Sequence, residues 1–318
     1  MALIDQVADT VRDFVGVGDA PTPFVLRSDV EILWPKNRPY QPYLLKAAIQ
    51  NKHITQRALD VTEAVYRHRY LSALQMRRLY FAENDKKRAK ERIEAMVNWG
   101  LINRIKFTHR GRPMPLQVYM LDRGGAEILK DYHGRDMKNW RFEQNIKSYE
   151  YMMRILAAND VYGCFNDFSM SLGEGDHGIH GFEIEPYIKL SETPHHFVTP
   201  TAKFLFRRGD HEVKFLIEVI RGSEIFERLP NKLVKLNEYY TMYPSELGNR
   251  PVIVFLAERD EQLLKVEETL RLFQLNSLKD FARYTTDQRF ASNHLSESLY
   301  KIAGKKLVPA PFKGLLKS

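Results

Sequence analysis

The chain has 318 residues, 44% hydrophobic and 28% charged, an ordinary balance for a soluble globular protein long enough for two cored domains. No run approaches the roughly 18 apolar residues of a membrane-spanning helix, and the single cysteine, Cys164, excludes an internal disulfide and a multi-cysteine zinc site. A formal charge of +8 points to a polyanionic partner without saying which.

The opening residues, MALIDQVADTVRDF, carry early acids and no long apolar core. They read as a short amphipathic helix over 1–15 and not as a secretory signal, and a cytoplasmic setting fits. Residues 16–45 hold five prolines with short extended runs at 24–26 and 30–34. That density forbids a long helix and predicts an arm. The arm either packs on a domain or, through Lys36 and Arg38, reaches a minor groove. Leu44 to Gln50 is expected to be helical and to close an N-terminal segment of residues 1–50.

Residues 51–132 carry the strongest pattern. Leu59, Val61, Val65 and Tyr66 share one helical face, and Leu71, Leu74 and Leu79 share the next. Asn84 and Asp85 offer caps to a third helix, whose Ala89, Ile93, Met96 and Val97 form a buried stripe. Gly100 sits where that helix should end. Leu101 to Thr108 reads as a strand, HRGRP as a hairpin tip, Gln117 to Leu121 as the return strand, and Asp122 as the cap of a closing helix. Helix, helix, helix, strand, turn, strand, helix is the order of a winged helix-turn-helix.

The basicity is local. Residues 51–112 hold 15 Lys+Arg against 6 Asp+Glu, a net of +9, so the rest of the chain sums to −1. A one-signed surplus suggests a phosphate-binding surface, whereas a solvated helix face mixes signs. In the winged-helix mode the third helix enters the major groove of double-stranded DNA. Lys87, Lys90 and Arg92 are candidates for its exposed face, and Lys86 and Arg88 for phosphates near its start. Arg110 and Arg112 flank Gly111 at the hairpin tip, and Arg104 lies on the first strand. The competing reading is a module for protein contacts or dimerisation.

Residues 130–144 are polar and mark the expected domain boundary, with Trp140 and Phe142 pointing to partial packing. Beyond it, Tyr149 to Ala157 reads as a helix, Val161 to Phe168 and Gly181 to Leu190 as strands, and Ala202 to Arg207 with Val213 to Arg221 as a hairpin. Pro230 to Tyr240 is an amphipathic helix with proline in its first turn. PVIVFLA at 251–257 is a strand buried on both faces, followed by a helix over 261–275. An α/β domain over 145–300 follows. The last 19 residues hold five lysines and no acid and read as a basic tail, which begins as a separate segment at 301.

Other constellations are weaker. Gly173 to Gly178 matches GxGxxG, but strand-like residues follow it and Glu174 and Asp176 would repel phosphate, so it reads as an acidic loop. His177 and His180 with Asp176 have metal-like spacing but no cysteine to help, and a polar loop is the plainer reading. His195 and His196 read as a surface turn. No cofactor and no metal is expected.

LSALQMRRLYF, RAKERIEAMVNWGLINR, QVYMLDRGG and FLIEVIRGSE with LPNKLVKLNEYY together resemble the replication-relaxation family, found mostly on plasmids and mobile elements of Gram-positive bacteria, over about residues 55–260. The resemblance implies a winged helix followed by a restriction-endonuclease-like domain, and a role in plasmid replication or conjugative transfer. An active nuclease of that fold places Asp on one hairpin strand and acid-x-Lys on the next, to hold Mg²⁺ and position water. Here Thr201 stands at the Asp position, and Glu218 and Ile220 stand at the acid and Lys positions. Lys232 on the following helix could supply a relocated cation, and Glu183 or Glu185 a displaced ligand.

The expectation is a non-enzymatic, sequence-specific DNA-binding protein of a mobile element, an accessory in replication initiation or relaxosome assembly. Its partners would be double-stranded DNA, a relaxase or replication protein, and a second copy of itself, but no membrane. The alternatives are a metal-dependent nuclease with a rearranged site and a winged-helix transcriptional regulator.

Overall fold

A computed structural model of the protein describes residues 30–35, 41–81, 86–173, 175, 177–193, 195–221, 224–242, 250–292, 298–304 and 306–310. The helix expected over 1–15, most of the proline-rich arm with Lys36 and Arg38, the caps Asn84 and Asp85, Glu174, Asp176 and the last eight residues lie outside them. The protein is of mixed α/β class and divides into two units between Asn159 and Asp160. Among the described residues, no helix is long and apolar enough to cross a membrane.

The first unit begins with β1 (Val30–Leu33) and α1 (Pro42–Gln50), then α2 (Gln56–His68) and β2 (Leu71–Ser72). It continues with α3 (Ala73–Tyr80), α4 (Lys86–Asn98), β3 (Ile102–His109), β4 (Arg112–Leu121) and α5 (Arg123–His133). A short 3-10 turn, Phe142–Asn145, precedes α6 (Tyr149–Ser171), inside which the unit boundary falls. The four strands form an antiparallel sheet in the order β1-β3-β4-β2.

Several elements differ from the expectations. LSALQMRRLYF is not one helix. Leu71 and Ser72 pair with Tyr119 and Val118, and α3 starts at Ala73 under a capping box of Ser72 and Gln75. The return strand starts at Arg112, five residues early, and takes in Pro113 and Pro115, which sit where β4 has β3 as its one partner. Val30 to Leu33 of the arm is extended as expected, and this part of the arm packs on the domain as a strand hydrogen-bonded along β3. The N-terminal segment does not end apart from the next domain, because Leu45 and Ala48 of α1 belong to the same core as α2, α4 and α5. The boundary between the units falls within α6 and not at residues 130–144, where Trp140 and Phe142 are packed as expected and Met137 is buried in that core as well.

The core explains the local sequence. Ala89, Ile93, Met96 and Val97 of α4 are each under 5% exposed, as the 3.6-residue period requires. Each of the larger three contributes about 1.5–3 kcal/mol by leaving water. Gly125 is needed for close approach: a Cβ there would lie 2.1 Å from the Leu101 carbonyl oxygen, so α5 seats directly on the start of β3.

Buried polar groups tie α6 into this unit. Asn159 donates through Nδ2 to the carbonyls of His68 (3.2 Å) and Tyr70 (2.7 Å), which leaves its Oδ1 to accept from His68 Nδ1 at 2.8 Å. His68 therefore donates through Nδ1. Burial pushes its pKa down to about 4, with Arg67 adding to the effect and the Asn159 bond opposing it. The unfolded chain takes up this proton near pH 6.5 and the folded chain does not. Stability from His68 is thus complete above pH 6.5 and falls as pH drops towards 4, by about 3 kcal/mol in all. Urea denaturation from pH 7 to 4 should show this loss, and His68→Gln should flatten it. An unchanged profile in that variant would assign the loss to other groups.

The second unit takes the remainder of α6, then β5 (His177–Ile184), β6 (Ile188–Lys189), β7 (Phe197–Val198), β8 (Ala202–Arg208) and β9 (His211–Ile220). There follow α7 (Glu224–Met242), β10 (Val252–Ala257), α8 (Asp260–Leu272), α9 (Asn276–Lys279), β11 (Ala282–Thr286), α10 (Asp287–Ser292), β12 (Tyr300–Ala303) and β13 (Lys306–Pro309). Its sheet runs β13-β12-β11-β10-β9-β8-β5, parallel at β9-β10-β11 and antiparallel elsewhere. Leu229, Leu233, Leu236 and Tyr240 of α7 and Leu263, Val266 and Leu270 of α8 share a core with alternate residues of β9, β10 and β11.

Here too the structure corrects the sequence. Val161 to Phe168 is helical, not a strand. Phe165 is buried with its ring edge-on to Phe204 and Phe215, both at 4.8 Å, so a short apolar run serves a helix face. Gly181 to Leu190 is not one strand: β5 starts at His177 and ends at Ile184, and Ile188–Lys189 pairs separately with β7. Helix α7 begins at Glu224, which places Pro230 inside it and not in its first turn. Tyr300 to Pro309 is a hairpin on the sheet and not a loose tail, because β12 adds to the edge of β11. The buried strand β11 was not expected from sequence.

Candidate functional site

Helix α4 presents the charge surplus. Its apolar stripe faces the core, so the intervening positions face solvent, and Lys86, Lys87, Arg88, Lys90 and Arg92 are all exposed within its first two turns. The one acid among them is Glu91. The β3–β4 hairpin presents a second group. His109 pairs with Arg112, and Arg110 (φ +51°) and Gly111 (φ +72°) make the two-residue turn, where left-handed backbone is required at both positions. Arg110 and Arg112 are exposed at this tip.

Arg104 is placed differently from the others. Its guanidinium is ion-paired with Glu94 and lies beside the Tyr119 hydroxyl, whose pKa burial raises. Arg104 therefore fastens α4 to β3, leaving the helix start and the hairpin tip to carry the outward charge.

In the second unit Thr201, Glu218 and Lys232 come together. Glu218 sits on β9 with its side chain 3% exposed. Its Oε1 accepts from Lys232 Nζ at 2.6 Å and its Oε2 from the Thr201 backbone N–H at 3.2 Å. The Thr201 hydroxyl in turn accepts from Val219 N–H at 3.1 Å. Ile220 is fully buried in the α7–α8 core, as an aliphatic side chain would be. Glu183 forms an exposed ion pair with Lys203 at 2.7 Å, and Glu185 meets Thr201 through its backbone N–H, at 2.9 Å.

A neighbouring cluster has no local sequence signal. Arg221, 1% exposed, follows β9 and donates to Asp287 at 2.5 Å, just past β11. Burial raises the pKa of Asp287 and also that of Glu258, which follows β10, while Arg221 opposes both shifts. These groups line the carboxyl ends of three parallel strands and only the sheet order brings them together.

The histidines separate. His177 and His180 are three apart on β5 and so alternate across the sheet, and Asp176 lies outside the described residues. Among the described residues no three His, Cys, Asp or Glu side chains gather as a metal site. His195 is an exposed turn residue with φ +70°. His196 instead bridges Ser191 Oγ (2.8 Å) and Glu238 of α7 (3.1 Å), which clasps the β6–β7 turn.

No protein-family model, curated protein or solved structure matches the chain.

Proposed function

We propose that the protein binds double-stranded DNA through a winged helix in its first unit, with α4 as the groove helix and the β3–β4 hairpin as the wing. The observation that carries this is the exposure of five cations on the first two turns of α4, opposite a fully buried stripe. The order α2-β2-α3-α4-β3-β4 supports it. Lysines there give affinity without sequence preference, and arginines can read guanine edges.

The second unit is a restriction-endonuclease-like scaffold without cleavage. Support comes from its order of helix, three antiparallel strands, helix and parallel strand, and from an ammonium already paired with the buried Glu218. The protein is then a sequence-specific accessory of a plasmid or mobile element, acting in replication initiation or relaxosome assembly. It works in the cytoplasm with a relaxase or replication protein, and as a homodimer.

The competing reading is a metal-dependent nuclease. The meeting of Thr201, Glu218 and Lys232 favours it, because a relocated lysine stands beside the one retained acid.

Fluorescence anisotropy with a duplex of about three helical turns tests both. Neutralising about six phosphates predicts a log–log salt slope of about −5. Binding that barely changes with salt would remove the basic surface. Nicking that needs Mg²⁺ or Mn²⁺ and is lost in Glu218→Ala would establish the nuclease.

A further inference from the structure

A groove of about 710 Å³ in the first unit lies between α5 and residues 134–143. That volume is within the usual range for ligand sites. Met137, Trp140 and Phe142 supply its apolar surface. Met137 and Phe142 are buried, while Trp140 is half-buried against the core.

The charge around this surface is mixed, with a positive excess. Five cations and three acids line the groove, a surplus of two positive charges. Arg123 is paired with Glu143 at 3.6 Å, Lys130 with Glu127 at 4.0 Å, and Arg135 with Glu63. Lys138, Arg141 and Asp136 are left outside these pairs, a net of one positive charge, and all three are exposed. Arg141 spends Nη1 on the carbonyls of Lys138 and Trp140, both at 2.9 Å, which fixes the guanidinium without neutralising it. The same wall is braced by Gln144 Nε2 donating to the Asn139 carbonyl at 3.0 Å and by Asp136 accepting from Lys138 N–H at 3.0 Å. Its shape is therefore set before anything binds.

We propose that this groove docks an acidic peptide segment of a protein partner, with an aromatic or aliphatic side chain against Trp140 and carboxylates at Lys138 and Arg141. The chemistry favours a peptide over a phosphate. The start of α5, where a phosphate would sit, is already capped by Asp122, whose Oδ1 accepts from Arg123 N–H at 2.7 Å. Met137, Trp140 and Phe142 on the same lining offer an apolar contact that a peptide side chain can make and a phosphate cannot. The docking site does not rest on the DNA reading. It adjoins the C-terminal end of α4, where Gly124 packs on Gly100, whereas the cations of α4 crowd its N-terminal turns.

The test uses the full chain and fluorescein-labelled poly(Glu,Tyr), with poly(Glu) and inorganic pyrophosphate as comparators. Saturable binding of poly(Glu,Tyr) is expected, about tenfold weaker in Lys138→Glu/Arg141→Glu and changed less than about twofold in Lys87→Glu/Lys90→Glu. Lys138→Glu alone, which keeps the Arg141 contacts, should show the same direction if the double variant folds poorly. Equal binding of poly(Glu) would remove the apolar contact, and displacement by pyrophosphate would make the ligand a phosphate. Loss of binding in the Lys87→Glu/Lys90→Glu variant would place the copolymer on α4. Each of these overturns the proposal, as does unchanged binding by the groove variants. None depends on whether the protein binds DNA.

Discussion

Reversing two charges on α4, Lys87→Glu with Lys90→Glu, should weaken binding to every duplex by roughly a hundredfold at 0.1 M salt, on the order of 3 kcal/mol. Both side chains are exposed and neither belongs to the buried stripe, so the fold should not change. Each reversal removes a phosphate contact and adds a repulsion. With about four phosphates left to neutralise, the salt slope should fall from about −5 to about −3.5. The loss should be nearly the same on random and specific DNA, because lysines at phosphates carry little sequence information. Arg110→Ala or Arg112→Ala at the hairpin tip should cost less, since each removes one contact and introduces no repulsion. Anisotropy titrations at several salt concentrations measure all of this. Unchanged affinity in the double variant would take α4 out of the interface and return the first unit to a protein-contact role.

Lys232→Met should destabilise the second unit by about 3 kcal/mol at pH 7, the lower end for breaking a buried ion pair because the ammonium is a quarter exposed. In the variant Glu218 keeps its bond from Thr201 N–H but loses its counter-charge. Heat denaturation should register a fall of about 6–12 °C for a unit of this size. Adding Glu218→Gln to Lys232→Met should recover part of the loss, since an amide is cheaper to bury than an unpaired carboxylate. Mg²⁺ separates a structural pair from a metal site. If Glu218 and Lys232 form a structural clasp, millimolar Mg²⁺ should leave the melting of Lys232→Met where it is. Recovery by Mg²⁺ would mean that the vacated carboxylate takes a cation, and would favour the nuclease.

The sequence by itself determined the elements whose pattern is local. The Ala89–Ile93–Met96–Val97 stripe settles which face of α4 is buried, and thereby which cations face out, because both follow from one helical period. Asp122 as a cap, Gly100 as a helix end (φ +68°) and VIVFLA as a doubly buried strand were legible for the same reason. Val161 to Phe168 was not, since a short apolar run fits a strand or a buried helix face equally, and only Phe204 and Phe215 across the sheet decide between them.

Tertiary structure alone decided what meets what. Thr201, Glu218 and Lys232 were all singled out, but their contact depends on the turn of α7 back over β9. Arg221, Glu258 and Asp287 converge because three strands run parallel, and Arg104 is bound to Glu94 because α4 lies along β3. The groove beside α5 exists because a polar stretch that reads as a domain boundary packs Met137 and Trp140 onto the core. Side-chain periodicity records which face an element buries, and the free energy of non-local pairing decides what that face is buried against.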